Sequence, residues 1–243
     1  MNVILVGCEF SGKTTLADRI VKWSERNLGG SSHFHDHFTI PSTELTGQAA
    51  SEYEDAHPQV KEMFQRFMIT YHISSAFYSH TDHNLMGVHI EEAVYAPLYY
   101  GYGGENSGAP TRSPKGQRTE MARRIEGEIL EKAPETVLIL MKASPDVIKG
   151  RMKTNIYPNP EIIRSQYLSK AFGEPTRGVV QEADVEFVLK RFEEEFEASL
   201  LKKKIVVDTT SATLDETLEE FVTKIRPHLS KFDQQRMQNI QTT

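Results

Sequence analysis

The amino-acid sequence predicts an α/β fold, a five-stranded parallel sheet with helices on both faces. Short apolar runs alternate along the chain with longer stretches whose apolar residues recur at three- and four-residue spacing. The first run ends in a glycine-containing loop that leads straight into a helical pattern. A chain of 243 residues is also long enough to bury one large core. Strands that alternate with helices pair in parallel through right-handed crossovers. Sheets of this kind bind ligands at the carboxyl ends of their strands.

Five runs read as strands: "NVILV" (2–6), "HFHDHF" (33–38), "LMGVHI" (85–90), "TVLILM" (136–141) and "KIVVD" (204–208). Between them, Val60, Met63, Phe64, Phe67, Met68 and Tyr71 draw an apolar stripe down one helix, and Val185, Val188, Leu189, Phe192 and Phe196 draw another. Ser144 before Pro145 has the form of an N-cap with proline at the first helical position, and Thr213 to Glu216 has capping-box spacing. Two long stretches break the alternation. Residues 100–117, rich in Gly, Pro and Ser, are expected to form a substrate-side loop, and the mixed, basic residues 154–181 a lid. Residues 1–229 then make one domain, with 230–243 a polar C-terminal tail.

Charged residues make up 26% of the chain and the net charge is -6, so no global positive field exists to hold nucleic acid and any anion site must be local. Cys8 is the single cysteine, which excludes an intramolecular disulfide framework and fits a reducing, cytoplasmic setting. The first apolar run is too short for a signal-peptide core, and no later run approaches the roughly 20 apolar residues of a membrane helix. The expectation is a soluble, unprocessed protein without a membrane partner.

The stretch "GCEFSGKT" from Gly7 satisfies G-x-x-x-x-G-K-[ST], with a strand before it and "KTTLADRIVKW" as a helix behind it. Gly7, Ser11, Gly12, Lys13, Thr14 and Thr15 are the expected nucleotide-binding residues. Backbone amides of the loop and the helix N-terminus would converge on phosphate oxygens, Lys13 would reach the β- and γ-phosphates, and Thr14 would set its hydroxyl on Mg²⁺. Cys8 reads as a small filler.

Other strand ends must choose the chemistry. Alternation puts His33, His35 and His37 on one face of the second strand and Asp36 on the other, near the carboxyl end, where it would accept a proton from an attacking hydroxyl. Glu91 and Glu92 follow the third strand, and Glu91 is the candidate second carboxylate for Mg²⁺. Tyr95 and Tyr99 share a helix face and either line a flat-ring pocket or pack in the core. Positive charge around a migrating phosphoryl group would come from Arg151 and from the lid, where Arg164 and Arg177 lie. Arg118, Arg123 and Arg124 form another basic cluster, of which Arg118 is a candidate for the substrate side.

In this order the segments resemble the P-loop nucleoside and nucleoside-monophosphate kinases, thymidylate and deoxynucleoside kinases most closely. The P-loop, "EEAVYAPLYYG", "ASPDVIKGRM" and "KIVVDTTSATLDETLEEF" fall in the family order and span nearly the whole chain. "HDHFTIP" is similar to the "DDFFKP" stretch of uridine-type kinases, whose first aspartate is the base and matches Asp36. "EEAVY" is similar to the acid-arginine segment of thymidylate and deoxynucleoside kinases, with Glu91 in the acid's place. Arg151 matches the arginine that opens the family's lid. Glu92 stands where the family has arginine, and Asn155 where a second lid-opening arginine often occurs.

The resemblance implies a P-loop NTPase fold with sheet order 2-3-1-4-5 and an ATP- and Mg²⁺-dependent kinase acting on a nucleoside- or nucleotide-like small molecule, in a family where homodimers are common. Two other readings stand beside it. A kinase acting on a hydroxyl of a polynucleotide, a strand end or a hydroxymethylated base in DNA, would use Arg112, Lys115, Arg118, Arg123 and Arg124 as a basic patch. A nucleotide-dependent switch would need a second GTPase motif such as N-K-x-D, which the sequence lacks.

Overall fold

The structure is a computed structural model, and it describes residues 1–36, 48–73, 77–78, 82–105, 111–113, 116–154 and 180–242. Strands β1 (Val3–Val6), β2 (His33–Asp36), β3 (His83–Met86), β4 (Val137–Lys142) and β5 (Lys203–Asp208) pair in parallel. Their order is β2-β3-β1-β4-β5, the expected one. β1 is central: Ile4 faces Leu85 of β3 on one side and Leu138 of β4 on the other. All four of its residues are buried, as both faces of a parallel sheet require.

Nine helices lie among the described residues: α1 (Lys13–Leu28), α2 (Gln48–Asp55), α3 (Pro58–His72), α4 (Val88–Tyr95), α5 (Gln117–Lys132), α6 (Pro145–Thr154), α7 (Val185–Ala198), α8 (Leu214–Ile225) and α9 (Lys231–Gln241). Alternation along β1 divides them into two layers. Val3 and Leu5 pack with Leu16 and Ile20 of α1 and Phe221 and Ile225 of α8. Ile4 and Val6 share the opposite cluster with Val94 of α4, Ile129 of α5 and Val188 and Phe192 of α7. The stripe expected from Val185 to Phe196 is the inner face of α7, with Leu189 partly covered.

Three expectations are corrected. The third run does not continue as a strand to residue 90. β3 stops at Met86, Gly87 turns the chain at φ 75°, and α4 begins at Val88. The stripe on α3 faces the core only in part: Val60, Met63, Phe67 and Tyr71 are exposed, while Met68 is buried with Gln65 and Ile69 and Phe64 packs against the core. Glu62 explains the choice, because its carboxylate on the inner side accepts a hydrogen bond from buried Arg118 at 2.9 Å.

The polar stretch after Leu229 is not a separate tail but part of the packed domain. It forms α9, which packs along α1, capped by the Ser230 hydroxyl and anchored where Arg236 donates to the carbonyls of Leu28 and Gly29 and pairs with Asp82. The glycine-rich stretch is packed where it is described: Tyr102 is buried and the Arg118 amide donates to the Gly103 carbonyl. Residues 106–110 and 114–115 of that stretch, 37–38 of the second run and 155–179 of the expected lid, with Arg164 and Arg177, lie outside the described residues.

The capping box of α8 is formed as its spacing predicts. The Thr213 hydroxyl accepts from the Glu216 amide at 3.3 Å, and the Glu216 carboxylate accepts from the Thr213 amide at 2.7 Å. Thr213→Ala is expected to destabilise the protein by about 1 kcal/mol in urea unfolding, as loss of an N-cap does. An unchanged midpoint would show that α8 is held by packing alone.

Candidate functional site

The loop between β1 and α1 lies at the carboxyl edge of the central strand. Its first glycine is held against β4: a Cβ on Gly7 would lie 2.6 Å from the Met141 carbonyl oxygen, and its φ is 148°. Phe10 sits in the left-handed region at φ 64°, a conformation that costs a residue with a Cβ about 1–2 kcal/mol. Distant side chains stabilise it. Arg151 of α6 donates through Nη1 to the Phe10 carbonyl at 2.9 Å, and through Nη2 to the Thr209 carbonyl at 2.9 Å. The Thr209 hydroxyl donates to the Ser11 carbonyl at 2.9 Å. In a trans peptide the carbonyl and the next amide point opposite ways, so holding the Ser11 oxygen outward turns the Gly12 amide inward.

This cradle fits a polyphosphate. Gly12 precedes α1 without a side-chain cap, which leaves the helix N-terminus to a ligand. Ser11 is fully buried, and its hydroxyl has no hydrogen-bond partner among the described residues. Thr14 is exposed at the first turn of α1. Thr15 follows it, half-buried.

Lys13 turns back over the loop, its Nζ 2.5 Å from the Gly7 carbonyl and 2.8 Å from Glu91 Oε1. Burial works against its charge, but the Glu91 carboxylate, by charge and hydrogen bond, raises the ammonium's pKa above its usual value. The position of Glu91 depends on Gly87: a Cβ there would lie 2.4 Å from Glu91 Oε2. Val88, β-branched at φ 52°, is strained in the same turn. Gly87 was not among the expected site residues, although an isolated glycine inside an apolar run is the signal of such a close approach.

Every residue of α4 is buried, including Glu91 at 4% exposure and Glu92 at 1%. Glu92 turns away from the loop. It accepts from the Tyr102 hydroxyl at 3.2 Å and lies 3.4 Å from Arg118 Nη1. Arg118 is itself buried between Glu92 and Glu62.

Of the two readings of the tyrosines, Tyr95 follows core packing, and both rings make hydrogen bonds through their hydroxyls. Tyr95 is in the core against Phe192, and its hydroxyl accepts the Glu9 amide at 3.0 Å. Tyr99 donates to Asp184 Oδ2 at 3.1 Å. Arg151, expected to face a transferring phosphate, braces the loop that would hold it. Asp36 closes β2 opposite Met86, at the expected carboxyl edge. Thr209, the loop's other brace, carries no local sequence signal, because its role comes from contacts with Ser11 and Lys142 far along the chain.

Two solved structures share this fold. The YorR protein from Bacillus subtilis, in complex with phosphorylated GDP, aligns with a TM-score of 0.52 and 14% identity over 95% of this chain and 99% of its own. Deoxyadenosine kinase from M. mycoides with bound dATP aligns with a TM-score of 0.50 and 13% identity over 93% and 99%. No protein-family model matches the chain, and no curated protein matches it in sequence. The chain therefore shares the fold of these two structures, with the glycine-containing loop following its central strand.

Glu92 yields a test of the buried cluster. Burial pushes its carboxyl from the usual 4.5 up to about 6, against the pull of Arg118 and the Tyr102 hydroxyl. A carboxyl raised in the folded state contributes stability that is complete below pH 4.5 and lost as the pH rises through about 6. A shift of this size corresponds to about 2 kcal/mol. Glu92→Gln is expected to remove that decline, so that urea unfolding of the variant gains on the wild type between pH 4.5 and 6.5. A constant difference across that window would mean that Glu92 does not titrate there.

Proposed function

We propose that the protein is an ATP- and Mg²⁺-dependent phosphotransferase that transfers the γ-phosphoryl group to a nucleoside- or nucleotide-like acceptor. The observation that carries this reading is the seating of Lys13 across the phosphate loop beside the carboxylate of Glu91, 2.8 Å away. A cradle of amides, a lysine and a carboxylate at one strand edge are the parts that phosphoryl transfer needs. The acceptor oxygen attacks the γ-phosphorus, the bond to the bridging oxygen breaks, and ADP leaves. The proton of a hydroxyl acceptor passes to a carboxylate, Glu91 or Asp36.

Mg²⁺, when bound, would spread charge between the β- and γ-phosphate oxygens. Thr14 and Glu91 are the residues that would hold it, an oxygen donor set that suits a hard cation. Lys13 leaves the Gly7 carbonyl for phosphate oxygens as the nucleotide enters. Cys8, buried with its thiol pushed up to about 12 by burial, stays protonated and takes no part.

The far side of α4 supports a nucleoside-like acceptor. Gln65 Oε1 and Arg118 Nε are buried without a hydrogen-bond partner among the described residues. A leftover acceptor and a leftover donor suit the edge of a heterocycle or a sugar hydroxyl. Arg118 already lies between two carboxylates, which favours a hydroxyl over a phosphate as the receiving group. The same pairing weakens the polynucleotide reading: Arg112 is committed to Asp184, Arg118 to Glu62 and Glu92, and Arg123 to Glu126 and Glu195.

Incubation with γ-labelled ATP, Mg²⁺ and a panel of nucleosides and nucleotides tests the reading. Label is expected to appear on an acceptor, Lys13→Ala to abolish transfer, and Glu91→Gln to cut turnover by about a hundredfold or more with ATP affinity changed only a few-fold. Label released only to water would reduce the protein to a hydrolase, and transfer undiminished in Lys13→Ala would remove the loop from the chemistry.

A further inference from the structure

Glu9 belongs to the loop but to none of the motif's fixed positions, and both of its ends are engaged. Its amide donates to the Tyr95 hydroxyl at 3.0 Å, and its Oε2 accepts the Val180 amide at 2.9 Å. Val180 is buried in the cluster beneath α4 and α7 and begins the short stretch that runs through a 3₁₀ turn (Glu182–Asp184) into α7. That stretch is also gripped from α4's side. The Gln181 amide donates to the Tyr99 hydroxyl at 3.3 Å, and Tyr99 in turn donates to Asp184. Arg112 pairs with Asp184 as well, its guanidinium 5.1 Å over the Phe187 ring.

We propose that Glu9 is a positioning residue that ties the phosphate loop to residues 180–184, so that the loop keeps its polyphosphate-binding shape only while the tie is made. The proposal rests on the phosphate-binding reading of the loop. Its physical basis is the left-handed Phe10, which is held on both sides, by Arg151 at its carbonyl and by the anchored Glu9 before it. Without the anchor, Glu9 rotates away and Phe10 relaxes to an ordinary φ. The amides after it then leave the cradle. The Val180 contact requires a hydrogen-bond acceptor at the end of a two-methylene arm; the carboxylate's charge, which also bears on Lys13, is separated from it by Glu9→Gln.

The test compares wild type, Glu9→Ala and Glu9→Gln by hydrogen–deuterium exchange at Val180 and by calorimetric titration with ATP and with tripolyphosphate. Glu9→Ala is expected to speed exchange of the Val180 amide at least tenfold and to weaken both ligands about tenfold. Glu9→Gln, which keeps an acceptor oxygen in place, is expected to restore both to within twofold of wild type. If Glu9→Ala melts below the assay temperature, Glu9→Asp replaces it, with an expected three- to fivefold loss in each readout.

Slow Val180 exchange in Glu9→Ala overturns the tie, as does wild-type affinity in that variant. A Glu9→Gln as weak as Glu9→Ala shows that charge acts instead. A wild type that binds neither ligand overturns the phosphate reading and this inference with it, whereas unchanged exchange in the variant overturns the inference alone.

Discussion

The structure depends on keeping one loop open at the carboxyl end of β1. The backbone groups of this loop are aimed by contacts from outside it. Those contacts come from three places in the chain: Tyr95 on α4, Arg151 on α6 and Thr209 after β5. They reach the loop because β1 is the central strand, with β3 on one side and β4 on the other. The chain leaving β3 supplies Gly87 and α4, while the chains leaving β4 and β5 supply Arg151 and Thr209. The sheet order thus does more than bury apolar surface; it brings three distant segments to the outer side of one loop.

Buried charge is the second theme, and it concentrates on α4. Glu91 meets Lys13, Glu92 meets Arg118, and His89 lies 3.2 Å from Glu126. Buried ion pairs add little net stability, because desolvation offsets their attraction, yet losing one partner is strongly unfavourable. An apolar helix would satisfy the fold at this position. That three titratable residues occupy it, each with a partner, is better explained by a site that needs polar groups at fixed positions.

The architecture was legible because it is periodic. Four of the five strand runs and the inner stripe of α7 follow from spacing, and "GCEFSGKT" located the loop. What escaped reading is set by contacts between distant residues. "LMGVHI" is one apolar run by composition, and only the approach of Glu91 to Gly87 explains why the strand ends inside it. Helix α3 is apolar on more than one side, and the Glu62 to Arg118 bond, spanning two helices, selects the buried one. α9 looks like a polar tail because its anchors, Arg236 to Leu28, Gly29 and Asp82, lie at the opposite end of the chain. The bonds of Arg151 to the Phe10 and Thr209 carbonyls were not legible, since sequence shows a side chain's chemistry and not the backbone group it meets.

Glu91 and Glu92 are adjacent, and adjacent residues on an α-helix point about 100° apart. This is why one faces the phosphate loop and the other the Arg118 cluster. Because α4 is buried along its whole length, neither carboxylate can swing independently of the sheet. The carboxylate beside Lys13 and the carboxylate beside Arg118 therefore stand at an angle and separation fixed by helical geometry. Holding two polar groups in one geometry depends on such a fixed relation. In this chain it is set by two neighbouring residues of a single buried helix.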